Sequence, residues 1–272
     1  MTEDYLTKTK LPERIVCMTE ETTEWLYLLG EDWRIVGISG YTMRPPQARK
    51  EKPKVSAFTS AKINKILELK PDLVIGFSDM QADIAADLVR EGIAVHICNQ
   101  RSVAEIFSTL LVIGCLVGAQ AKASEILNQY ADRLKKIQQM AAQLPRRPKV
   151  YFEEWGDPLI SGIRWVSELI EIAGGDDSFS ELAVYADAKS RIIADQDRVI
   201  EKAPDIIIGS WCGRKFAKNS VMNRPGWSAI PAVVNRQLHE IKSVDILQPG
   251  PAALTDGLDQ IQTIIHNWAQ QQ

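Results

Sequence analysis

The fold class predicted for this chain is α/β: two related lobes, each with a mainly parallel sheet, joined by a single long backbone helix. Three observations predict it. Residues 66–79 read ILELKPDLVIGFSD and residues 199–212 read VIEKAPDIIIGSWC, so a helical run, a Pro-Asp pair, an apolar strand and a Gly recur about half the chain apart. Strand-like and helix-like segments alternate in both halves, as parallel sheets covered on both faces require. Between residues 119 and 144 neither Pro nor Gly interrupts a helical pattern.

In the first lobe, residues 14–18 (RIVCM) are predicted as a strand, and Thr19, Glu20, Glu21 and Thr22 offer caps for a helix through Leu29 that stops at Gly30. Residues 35–38 form a second strand. The SGYTMRPPQARKEKPKVSAFTS that follows is too irregular for a regular element and is rich in groups that could face a ligand. A helix over 61–69, a strand over 73–75, a helix over 81–91 stopped by Gly92 and a strand over 94–98 complete the lobe.

From 103 to 144 the pattern is helical, with Ile126, Leu127, Tyr130, Leu134, Ile137 and Met140 at spacings of three and four. Gly114 and Gly118 break it in two, and the second piece, 120–143, is about 35 Å long at the helical rise. The division is therefore an N-terminal lobe (14–103), connecting helices (104–145) and a C-terminal lobe (146–272). That last lobe holds a strand over 149–152, the loop EEWGDPLISGIRW, a helix over 166–173 ending at Gly174 and Gly175, an apolar run at 192–194 and a helix to 202. A strand over 205–208, the loop GSWCGRKFAKNSVMNRPGW, a strand over 238–241, the loop SVDILQPGP and a helix to about 268 close the chain.

Composition excludes several classes. At 272 residues and 45% hydrophobic content the chain can bury a full core. A net charge of -3 and a pI near 5.8 give no electrostatic footprint for nucleic acid. Arg146, Arg147 and Lys149, bracketed by Pro145 and Pro148, read as a solvated linker. The acidic N-terminus lacks the apolar core of a secretory signal, so a cytoplasmic chain is expected, or a periplasmic one had a signal been removed. The longest apolar run, 110–119, is shorter than the roughly 17 residues a membrane helix needs. Cys17, Cys98, Cys115 and Cys212 show no metal-site spacing, and the first three are expected as small buried hydrophobes, with two disulfides as the open alternative. No metal site and no required cofactor are expected. His96, His239 and His266 share no pattern, and no phosphate-cradling or nucleophile-elbow motif is present.

Aromatic residues concentrate where open α/β sheets bind ligands: Tyr41, Phe58, Phe77, Trp155, Trp165, Trp211 and Trp227 lie in or beside loops after predicted strands. A cleft walled by such rings suits a large, flat, partly apolar ligand. Arg164 and Arg214 could pair with an anionic group of it, and Asp245 could accept from an amide or hydroxyl. Glu153, Glu154 and Asp157 would suggest acid-base work, but no nucleophile of matching spacing accompanies them, so a binder and not an enzyme is expected. The alternative from that class is a metal- or thiol-dependent enzyme using Cys17 or Cys212, whose neighbour Arg214 would lower its thiol pKa.

Five segments in order carry a resemblance: VGISGYTMRPPQARKEKPKVSAF, INKILELKPDLVIGF, SELIEIAGGDDSF, PGWSAIPAVVNRQLHEI and LQPGPAALTDGLDQI. Together they resemble the substrate-binding proteins of ABC importers for cobalamin and iron-siderophores, over residues 14–268. The resemblance implies Rossmann-like lobes on a helical backbone of the metal-receptor type, with ligand in the cleft. Tyr41, Phe58 and Phe77 match positions that carry corrin-facing aromatics in the cobalamin binder, and Asp245 falls in a loop of polar contacts. The implied ligand is cobalamin or another corrinoid, the alternative a ferric siderophore or haem delivered to an ABC importer. Acids that meet the permease match Asn64 and Asp197 here, one lost and one shortened, with Glu68 and Glu201 as neighbouring substitutes. Such a departure implies a weakened permease contact and a cytosolic relative of the importer-associated binders.

Overall fold

The computed structural model describes residues 10–271 and divides the chain into two α/β units. One takes the chain up to Gln100 together with Glu105–Asn128, the other Arg101–Ala104 together with Gln129 onward. In the first half the elements run β1 (Ile15–Cys17), α1 (Glu20–Leu29), β2 (Ile35–Ser39), α2 (Ala48–Glu51), β3 (Lys54–Ser56), α3 (Ile63–Glu68), β4 (Leu73–Phe77), α4 (Ala82–Arg90), β5 (Val95–Cys98) and α5 (Val103–Leu116). The sheet order is β3-β2-β1-β4-β5 and every pair is parallel. The unbroken helix α6 (Gln120–Ala141) follows, and the division between the units falls within it.

The second half runs β6 (Lys149–Gly156), β7 (Leu159–Ser161), α7 (Arg164–Ile172), β8 (Asp176–Asp177), α8 (Asp197–Lys202), β9 (Ile206–Gly209), α9 (Lys218–Met222), α10 (Pro231–Val234), β10 (Leu238–Glu240), α11 (Ser243–Ile246) and α12 (Leu258–Ala269). Its order is β10-β9-β6-β7, with β8 also on β6, and only the β6–β7 pair is antiparallel.

Several predicted loops hold structure. The segment after β2 contains α2 and β3, because pairing of Ile38 with Lys54 and of Ser39 with Ser56 supplies hydrogen bonds that local propensity does not announce. The predicted loop at 153–165 is a hairpin, with Trp155 opposite Ile160. The long loop after β9 contains α9 and α10, and α11 occupies the loop before the last helix. Residues 192–194 make one bridge, Ile160 to Ile192, in place of a strand.

The sequence repeat has a physical cause. In both copies the residue before Pro-Asp is left-handed, Lys70 at φ 47° and Ala203 at φ 46°. Each Asp then accepts from the amide at the start of a neighbouring strand: Asp72 from Glu13 (2.8 Å) and Arg14 (3.0 Å), Asp205 from Lys149 (2.9 Å). The glycines that end both apolar runs stand where a side chain has no room. A Cβ on Gly76 would meet Gln81 Oε1 at 2.6 Å, and one on Gly209 would enter the Phe216 ring. Around the strands, Val16, Met18, Ile66, Val74 and Leu88 form the core of the first unit, and Tyr151, Phe179, Ile207, Val221 and Trp227 that of the second. Burying such side chains stabilises by about 1.5–3 kcal/mol each.

Candidate functional site: the rims at the strand ends

At the carboxyl ends of β2, β3 and β4 the first unit presents large apolar side chains to solvent. Tyr41 is 59% exposed and Phe58 38%, with Met43 and Met80 also exposed. The backbone carrying them is tied down. Arg49 Nη1 donates to the carbonyls of Gly40 and Thr42, both at 2.8 Å, and Ser39 Oγ accepts from the Tyr41 amide at 3.2 Å. Glu20 Oε2 accepts from the Met43 amide at 3.0 Å, and Arg44 Nε donates to Glu24 Oε1 at 2.8 Å. Buried Gln81 clamps the neighbouring turns: its Nε2 donates to the Phe58 carbonyl (2.9 Å) and its Oε1 accepts from the Phe77 amide (3.0 Å).

Phe77 departs from its predicted role, since at 5% exposure the ring belongs to the core. Beneath the rim, α1 buries Glu20 and Glu21 of its first turn and Glu24 of its second. Burial pushes the Glu20 and Glu21 carboxyls from the usual 4.5 up to about 7, against the hydrogen bonds that hold them down.

The second unit arms its strand ends with ring-cation pairs. Trp155, near the end of β6, donates from Nε1 to the Asp157 carbonyl at 2.8 Å, and the Arg214 guanidinium stacks on its ring at 5.1 Å. Half-buried Trp211 meets Phe216 edge to face at 5.3 Å and donates to Glu153 Oε1 at 3.1 Å. Glu153, fully buried, also takes both arms of Arg224 (2.5 and 2.9 Å) and the Tyr151 hydroxyl (3.1 Å). Its neighbour Glu154 takes both arms of buried Arg191 (2.6 and 3.1 Å). These carboxylates are therefore structural anchors, each spent on an arginine.

Two further predicted rings are core, and Arg164 and Asp245 have partners within the second unit. Trp165 is 3% exposed, sits in the first turn of α7 and donates to the Ile246 carbonyl at 2.9 Å, so its ring is core. Trp227 is buried under Arg224, whose guanidinium lies 4.5 Å from its ring. Arg164 pairs with Glu168 one helical turn along α7 (2.8 Å), and that carboxylate also accepts from the Val103 amide. Asp245 is half-buried in α11 and accepts from Gln260 Nε2 at 3.2 Å. Asn64 and Asp197 are exposed, as are Glu68 and Glu201.

Among the described residues no group of His, Cys, Asp or Glu is placed to hold a metal ion, and no helix is long and apolar enough to cross a membrane. Burial pushes the Cys17 thiol up to about 12 and Cys98 higher, which removes thiolate reactivity. Cys115, expected in the core, is exposed because only one side of the largely apolar α5 is covered, leaving Leu111 and Val112 exposed as well, and Cys212 is exposed two residues from Arg214. A cavity of about 920 Å³ opens in the second unit between the segment after β9, β10 and α12, and none of the sequence-predicted residues lines it.

The chain is 26% identical over 266 residues to an uncharacterized ABC transporter substrate-binding lipoprotein of Bacillus subtilis (strain 168), spanning 94% of this chain and 81% of that protein. It is 26% identical over 270 residues to the vitamin B12-binding protein of Vibrio cholerae serotype O1, spanning 97% and 93%. The apo form of the periplasmic heme-binding protein RhuT from Roseiflexus sp. RS-1 shares the fold, with a TM-score of 0.81 at 20% identity over 95% of this chain and 99% of that one. Residues 15–244 match the periplasmic binding protein family, and the chain belongs to that family.

Proposed function

We propose that the protein is a non-enzymatic binder of cobalamin or a related corrinoid, taken up at the aromatic strand-end rims and handed to an ABC permease. The observation that carries this reading is the exposure of Tyr41 and Phe58 on backbone pinned by Arg49, Glu20 and Gln81. Two large rings held rigidly in water are preorganised for a flat apolar face, and covering them removes surface that solvent otherwise hydrates. The vitamin B12-binding relative, matched over 97% of the chain, supports the same ligand class. Exposed Glu68 and Glu201 offer carboxylates to permease arginines near Asn64 and Asp197.

A second reading, a ferric siderophore or haem, is favoured by one feature: Arg214 lies on Trp155 with no carboxylate partner among the described residues. Titration with cyanocobalamin, dicyanocobinamide, haem and a ferric hydroxamate, followed by tryptophan emission, separates the two. The corrinoids are expected to quench saturably at one per chain, and Tyr41→Ala with Phe58→Ala to cost about 2 kcal/mol or more of affinity. A preference for haem or hydroxamate moves the assignment to the second reading, and silence towards all four refutes both.

A further inference from the structure

The segment after β9 holds a charge imbalance that the ring-lined rims leave unexplained. Arg214, Lys215 and Lys218 are all exposed, and no carboxylate among the described residues pairs with any of them. Two carboxylates share the wall of the second unit's cavity, each held by a group other than these cations: Glu240 Oε1 accepts from the Phe216 amide at 2.9 Å, and Asp259 pairs with Arg133 of α6.

Lys215 and Lys218 line the 920 Å³ cavity, whose walls also include Asn219, His239 and Thr263 and the carboxylates of Glu240 and Asp259. His239 is half-buried, with its Nε2 engaged by Gln237 Oε1 at 2.9 Å. Its pKa lies below the usual 6.5, first through burial and then through the Lys218 charge, so at neutral pH the ring is an uncharged hydrogen-bonding wall. Neither lysine has an ion-pair partner among the described residues, and an anion drawn between two cations in one concave wall would engage both.

We propose that this cavity binds a small anion bearing a carboxylate or phosphate group, with Lys215 and Lys218 as cationic contacts and Asn219 and Thr263 as neutral hydrogen-bonding partners. The site belongs wholly to the second unit and stands whichever chelate the rims carry.

The test is calorimetric titration of the full-length protein with inorganic phosphate and with citrate, at low and high sodium chloride. Saturable binding of one anion per chain is expected, weakening in salt. It should weaken about tenfold in Lys215→Gln/Lys218→Gln and be unchanged in Lys62→Gln/Lys65→Gln. Both cavity lysines are exposed, so the variant keeps its fold, which circular dichroism verifies. Adding cyanocobalamin to the anion-loaded protein then distinguishes sources: displacement assigns the site to an acidic edge of the larger ligand, independent binding to a free anion. No saturable binding, or binding undiminished in the double lysine variant, overturns the proposal.

Discussion

At the strand ends of the first unit the exposed apolar groups are Tyr41, Met43, Phe58 and Met80; at those of the second the rings of Trp155 and Trp211 are half-buried and the exposed groups include Arg214, Lys215 and Lys218. The supports differ in the same sense. Beneath the first rim, Glu20 and Glu21 are buried with hydrogen bonds as their main compensation, whereas beneath the second fully buried Glu153 and half-buried Glu154 each grip an arginine with two bonds. A buried carboxyl of the first kind shifts its pKa, and one of the second kind makes its partner dependent on it.

The comparison breaks most visibly at Glu153. Replacing Glu153 with Gln leaves the Arg224 charge uncompensated and is expected to destabilise the protein by about 3–5 kcal/mol in urea unfolding. A loss below about 1 kcal/mol would place Glu153 in the weakly coupled class of exposed pairs.

Glu21 sharpens the contrast through pH. Its folded pKa is raised, so the neutral form is the one the fold favours; its contribution is complete below about 4.5 and is lost as pH rises to about 7. Glu21→Gln should remove a decline on the order of 3 kcal/mol across that window, read as the pH dependence of the urea midpoint. Glu153→Gln should leave this slope in place. Smaller effects come next. Trp165→Phe loses the bond to the Ile246 carbonyl and should cost about 1 kcal/mol in thermal unfolding without altering ligand affinity. Arg164→Ala removes an exposed helical pair, for which about 0.3–0.5 kcal/mol is expected.

The architecture was legible because its signals are local. Four-residue apolar runs ending in Gly, the Pro-Asp pairs and the uninterrupted stretch from 120 to 141 each reveal an element without knowledge of its neighbours. The short strands β3 and β7 were not, since three residues carry too little pattern and depend on their pairing partners. Site residues divide the same way. Tyr41 and Phe58 stand on strand-end turns that the sequence marks, and they are exposed there. Trp165 looks equivalent in sequence, but a carbonyl 81 residues away decides that its ring is core. Gln81 and Arg224 escaped notice for the same reason, because their partners, such as the Phe58 carbonyl and Glu153, lie 23 and 71 residues distant.

The most direct test of the corrinoid reading is native mass spectrometry, with the visible spectrum, of the protein isolated from its own host under non-denaturing conditions. One cobalt-containing corrinoid per chain, lost in Tyr41→Ala/Phe58→Ala, is the predicted result. A chain isolated with a different chelate, or with a corrinoid that persists when both rings are removed, would contradict it.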